Sequence, residues 1–192
     1  KMPFAAPGRT IVLLRAGETG DITDAESEFG SSEYAKEILR ALWGYPPELD
    51  LEKEAGLQKA IIEMIRHGLV DSAHDCAGGG LAVAFAEKAL PKGVGARVNL
   101  ASAGLFAEFA LFGEDSSRIL ISCDPAKVAR IKEVAGNHGV EADVIGETIP
   151  DRLEMSLDGK PVISAALSEL SGAYEGALEA ALRTDPELVT AH

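Results

Sequence analysis

The residue types and spacings with the means to do chemistry concentrate in Ser72–Glu87, SAHDCAGGGLAVAFAE, where a His-Asp pair runs into three consecutive glycines. Glycine lets the backbone take positive φ and lets a ligand approach with no Cβ in the way. The first N–H groups of a following helix have no intrahelical partners and carry the positive end of its dipole. Gly78, Gly79 and Gly80 are therefore candidates for holding a phosphate, with His74 donating to a phosphate or carbonyl oxygen and Asp75 helping to hold Mg²⁺. The competing reading is a tight turn between strand and helix, with Asp75 capping it and His74 hydrogen-bonded in the core. The residues alone leave both open. Neither common nucleotide motif is present: no Gly-Lys-Ser/Thr follows the glycines, and GVGARV (Gly93–Val98) lacks the third glycine and opens a strand.

Two further clusters carry the same ambiguity. ESEFGSSEY (Glu26–Tyr34) gathers carboxylates and hydroxyls around Gly30. It either holds Mg²⁺ or water, or is a solvated loop whose Ser32 caps the next helix. FGEDSSR (Phe112–Arg118) is a polar turn into a strand or a loop that touches ligand. Cys76 sits two residues from His74, but His67, Cys123 and His138 are scattered and no second ligand pair has metal spacing. Metal binding through Cys and His is not expected, no metal ligands are assigned, and Cys76 reads as a small buried hydrophobe. No Ser-His-Asp order or nucleophile elbow occurs.

The elements that must position these residues follow from periodicity. TIVLLRAG (Thr10–Gly17) is a strand, and ETGDITDAESEFGSSEY a long acidic loop leading to a short helix around Tyr34–Trp43. Asp50 caps the next helix, Glu52 and Glu54 complement its dipole, and Leu57, Ile61, Ile65 and Leu69 recur every four residues, widened by Ile62 and Met64, before Gly68 stops it. Val70–Ala73 is extended, and the glycines open a helix through Leu81, Ala84, Phe85 and Ala89 that Pro91 ends. GARVNL, RILISC and ADVIGE read as strands, and SAGLFAEFALFG as a helix. Asp124-Pro125 opens another helix (Val128, Ile131, Val134) that NHG closes. Asp158-Gly159 marks a hairpin. Leu167, Leu170, Tyr174, Leu178 and Leu182 line a final amphipathic helix before a frayed RTDPELVTAH. The order predicts an α+β domain, a mixed β-sheet covered by helices, spanning 1–192 as one unit with a core of about 9–182.

Composition bounds the partners. A formal net charge of −13 argues against nucleic acid, where binding depends on Lys and Arg at phosphates. Such a chain must hold phosphate locally, through backbone N–H groups or a bridging Mg²⁺. No run approaches the ~18 apolar residues of a spanning helix. KMPFAAPGRT has no apolar signal region, and two cysteines are too few for a disulfide scaffold, so a cytoplasmic setting is expected.

The three clusters together resemble one family, the large subunit of phosphoribosylformylglycinamidine synthase, a ligase and amidotransferase of purine biosynthesis. SAHDCAGGGLAVAFAE is similar to its Ser-Ala-His-Asp-x-Ser-acidic-Gly-Gly-Leu-Ala-Val-Ala signature. EFGSSEY resembles its Glu-Leu-Gly-Gly-Ser-Glu-Tyr segment at Glu28, Gly30, Ser32, Glu33 and Tyr34, and LFGEDSSRILIS its Leu-Phe-x-Glu…Arg run at Leu111, Phe112, Glu114 and Arg118. Ala77 and Gly78 depart from the family's Ser and acidic residue. The resemblance implies the C-terminal domain of the enzyme's second half, with the fold of aminoimidazole ribonucleotide synthetase relatives. It implies ATP or ADP with Mg²⁺ as cofactors of the whole enzyme, and His74, Asp75, Gly78, Gly79 and Gly80 at a catalytic or a structural phosphate. It also implies partnership with the remaining domains of a longer chain, a glutaminase and a small accessory subunit. The catalytic histidine and main Mg²⁺ carboxylates would lie outside this sequence, leaving it inactive alone. Two alternatives stand beside this: another ATP-dependent relative (selenophosphate synthetase, thiamine-phosphate kinase or hydrogenase-maturation type), and a non-catalytic packing domain.

Overall fold

The computed structural model describes residues 1–16 and 22–183. Strand β1 (Thr10–Arg15) lies mid-sheet between antiparallel neighbours β4 (Arg118–Cys123) and β5 (Glu141–Pro150). β2 (Ser72–Asp75) pairs with β4 at one edge, and β3 (Val94–Leu100), β6 (Arg152–Leu157) and β7 (Lys160–Ala166) continue beyond β5. The order is β2-β4-β1-β5-β3-β6-β7, with β3 and β6 parallel. This is the mixed sheet that the element order predicts.

Alternation along β1 splits the core in two. Ile11 and Leu13 point to one side with Leu120, against helices α3 (Gly80–Ala89) and α4 (Ala107–Phe112). Val12 and Leu14 point to the other with Ile121, against α2 (Leu51–Arg66) and α5 (Val128–Asn137). Helices α1 (Ile22–Phe29) and α6 (Leu167–Arg183) complete the set. Cys76 and Cys123 are free and buried, and burial pushes both thiols up to about 11. No helix among the described residues is long and apolar enough to cross a membrane.

Local chemistry explains the best-read elements. Asp50 accepts hydrogen bonds from the N–H groups of Glu52 and Lys53 at the start of α2. Asp124 accepts from Ala126 N–H where a 3-10 turn leads into α5. Asp158 and Gly159 have φ of 48° and 78°, the consecutive left-handed pair that a two-residue hairpin turn needs. The apolar stripe of α2 differs in detail: Leu57, Ala60, Ile61 and Met64 are buried, whereas Ile62 and Ile65 are exposed. Steps of four drift about 40° each on a helix of 3.6 residues per turn, so Ile65 has rotated off the buried face.

Tertiary contacts overrode other expectations. The acidic stretch read as a loop contains α1, while Gly17–Asp21 lie outside the described residues. The helix read over Tyr34–Trp43 is only an irregular turn, Ala35–Leu39, ended by Arg40 in the left-handed conformation. Trp43 instead turns back, its N–H on Gly30 O and its ring beside Phe29. The helix in SAGLFAEFALFG starts only at Ala107, because Ala103 and Gly104 have positive φ. On α6, Leu167 is buried but Tyr174 and Leu182 are exposed, so the apolar stripe leaves the domain. The side chain of Leu178 and the tail beyond Arg183 lie outside the described residues.

One buried charge has a measurable consequence. Lys88 Nζ, on α3, donates to Met2 O (3.1 Å) and Ser72 Oγ (2.8 Å) and lies 5.0 Å from the Phe4 ring centre. These partners are neutral, and burial pushes the ammonium from 10.5 down to about 7. Below pH 7 the fold must host a charge that the unfolded chain holds in water, so Lys88 costs stability there. That cost fades between pH 7 and 10.5, as the unfolded lysine also loses its proton. Replacing Lys88 by Met is expected to raise the melting temperature most below pH 7, with the difference shrinking towards pH 10.5. A difference constant across that range in thermal melts would refute it.

Candidate functional site

The three sequence clusters arrive from different elements and meet at one carboxylate. α1 leads into Gly30–Tyr34, β2 and the glycine turn lead into α3, and α4 leads through Gly113–Ser117 to Arg118 at the head of β4. Glu114 Oε1 accepts from Gly79 N–H at 2.7 Å and from Glu33 N–H at 3.0 Å.

The glycines have distinct roles. Gly79 and Gly80 have φ of 73° and 68°, a conformation that other residues adopt only with strain. A Cβ on Gly80 would lie 2.6 Å from Gly113 O and 2.8 Å from Leu111 O, so α3 begins in backbone contact with the end of α4. Gly78 faces open space. Around the junction, Phe29 stacks near Phe109 (centroids 4.6 Å) and Tyr34 near Phe112 (4.8 Å). Ser32 is buried and caps the following turn as expected, accepting from Ala35 N–H and donating to Phe29 O. Arg118, 10% exposed, donates from Nη2 to Gly113 O (2.6 Å) and pairs with Asp115 (3.0 Å). Its buried Nε has no partner.

His74 and Asp75 form a separate group. His74 Nε2 lies 2.7 Å from Glu87 Oε2, and its Nδ1 lies 3.1 Å from Asp75 Oδ1. Glu87 is about 10 Å along α3 from Gly80 by helix rise. The imidazole is thus held towards the helix's far end. The Asp75 carboxylate engages His74, not the backbone of the turn. The structure therefore gathers Gly79, Gly80, Ser32, Glu33, Tyr34, Glu114 and Arg118, and sets His74 and Asp75 apart at the sheet edge. Glu87 escaped the sequence reading because no spacing rule links a residue at a strand's end to one two turns into the next helix.

Beside the junction lies a cleft of about 830 Å³ between α4, the loop before β4 and the ends of β1 and β3. Among the described residues, six carboxylates line it, Asp24, Glu28, Glu48, Asp50, Asp115 and Asp143, against three cations. Each cation has a carboxylate nearby: Arg15 has Asp143 and Glu141, Lys53 has Asp50 at 4.0 Å, and Arg118 has Asp115. Burial raises the carboxyl pKa of Glu28, a Glu48 N–H opposes this, and the charges of Asp115, Asp24 and Glu48 add to it. No group of three or more potential ligands among the described residues is placed to hold a metal. Gly79 N–H is already bonded to an anion, and the nearby cations are engaged.

The family model described as AIR synthase related protein, C-terminal domain, matches residues 6–158, and the chain belongs to this family. Phosphoribosylformylglycinamidine synthase subunit PurL of Moorella thermoacetica is 43% identical over 167 residues, which is 87% of this chain and 22% of that protein. The chain thus spans about a fifth of the length of such relatives. Among solved structures, T. maritima PurL complexed with FGAR superposes with a TM-score of 0.71 at 26% identity, over 88% of this chain and 29% of that one. The same protein complexed with ATP gives 0.69 at 24%, over 88% and 26%. E. coli HypE, a hydrogenase maturation protein, is more distant at 0.54 and 13%, over 86% and 50%, and shares the fold alone.

The glycines supply a direct check on this geometry. Ala at Gly80 should cost at least about 2 kcal/mol in denaturant unfolding, because it combines positive φ with contact against two carbonyls. Ala at Gly78 should change stability by no more than about 0.5 kcal/mol. Equal effects would contradict the packing described.

Proposed function

We propose that this domain serves an ATP-dependent purine-biosynthesis ligase that converts formylglycinamide ribonucleotide, ATP and glutamine-derived ammonia to formylglycinamidine ribonucleotide. One observation carries the reading: the 43% identity to PurL and the superposition on PurL each extend over nearly nine-tenths of the chain. The hydrogenase-maturation alternative rests on the fold alone, at 13% identity. In this reading ATP acts with Mg²⁺ in the cytoplasm. The domain packs against the rest of a longer chain, with a glutaminase and a small accessory subunit as partners. A solved PurLQS complex from Thermotoga maritima supports such an assembly.

Within that enzyme, the engaged donors favour a structural role for the loop His74–Gly80 over a phosphate cradle. Gly79 N–H and both ring nitrogens of His74 already have carboxylate partners. Ala77 and Gly78, which replace a hydroxyl and a carboxylate of the family signature, agree with that role. The domain's own contribution is then to hold one acidic wall of the cleft in place. Electrostatically, that wall suits a nucleotide whose charge Mg²⁺ has neutralised better than free phosphate.

The test is genetic. The complete reading frame containing this sequence is placed in a purine auxotroph lacking formylglycinamidine ribonucleotide synthesis. Growth without added purine is the expected result. Failure to grow, with the protein present and soluble, would overturn the proposal.

A further inference from the structure

We propose that Glu114 is a two-sided clamp, a positioning residue whose carboxylate makes the glycine turn and the Glu33–Tyr34 segment one mechanical unit. A single oxygen, Oε1, accepts both N–H groups, from residues 35 and 81 positions before Glu114 in the chain. Beside the clamp, Phe29 and Tyr34 stack near Phe109 and Phe112 of α4, the helix that leads into Glu114.

The clamp is itself braced. Arg118 holds the preceding carbonyl, Gly113 O, the same oxygen that a Cβ on Gly80 would meet at 2.6 Å. On the following side, Ser116 Oγ donates to Glu48 O and Ser117 Oγ to Glu54 Oε2, fixing the loop to the start of α2. Glu114 therefore projects from a loop tied at both ends, and what remains adjustable is its own side chain. A negative oxygen is also the acceptor best matched to an N–H at the head of α3. While the clamp is closed, Gly79 N–H is unavailable to any other acceptor. This inference stands on geometry and does not depend on the ligase reading.

Amide hydrogen exchange on the 192-residue chain tests it. In Glu114→Ala, exchange at Gly79 and Glu33 should accelerate together, by about tenfold or more, while β1 amides keep wild-type rates. Glu114→Gln keeps an acceptor oxygen at the same reach and should restore protection at both sites. Acceleration at only one site, at neither, or no rescue by Gln would overturn the clamp. Should the Ala variant fail to fold, Glu114→Asp decides. Its shorter side chain cannot span both donors, so one amide must lose protection, and wild-type rates at both would refute the proposal.

Discussion

Helix α3 begins against the carbonyls that end α4, and this approach is possible only without a side chain at Gly80. Much of the candidate site depends on that contact. It brings Gly113 and Glu114 under the glycine turn, and Glu114 then reaches Gly79 and Glu33 together. A backbone N–H buried without a partner is costly, so the carboxylate stabilises the junction chiefly at buried Gly79, while Glu33 N–H lies at the exposed side. The same short distances that make the turn resemble an anion site are satisfied from within the chain.

The sheet supports this junction unevenly. β1 and β4 are covered on both faces, where Val12, Leu14, Ile121 and Cys123 meet α2 and α5 and Ile11, Leu13 and Leu120 meet α3. From β5 onward, the second face is polar and open. Arg97 pairs there with Glu154 and Glu147, and Val144 is exposed. Such cross-strand pairs at an exposed face add little stability each. The half covered on both faces is therefore the half that carries β2, the turn and the head of β4.

What was legible in the sequence was local. Asp50, Asp124 and Asp158-Gly159 act within a few residues of themselves, and each did what its type and position imply. The mixed sheet followed from the order of elements, and the family from three short segments. What escaped involved distance along the chain. Trp43 abandons its helix for Gly30, and Ile65 turns outward because a four-residue repeat does not match the helix period. His74 finds Glu87 two turns up α3, and Glu114 joins residues far apart in sequence. The segments were recognisable as a set, but nothing in their spacing shows that a carboxylate from one occupies the donors of the other two.

The central claim is that Gly79 N–H and Glu33 N–H donate to the same carboxylate. Scalar couplings transmitted through hydrogen bonds, measured by NMR from each amide nitrogen to the side-chain carboxyl carbon of Glu114, address it directly. The account predicts a coupling from both amides to that one carbon. A coupling from neither, or from one alone, would contradict it.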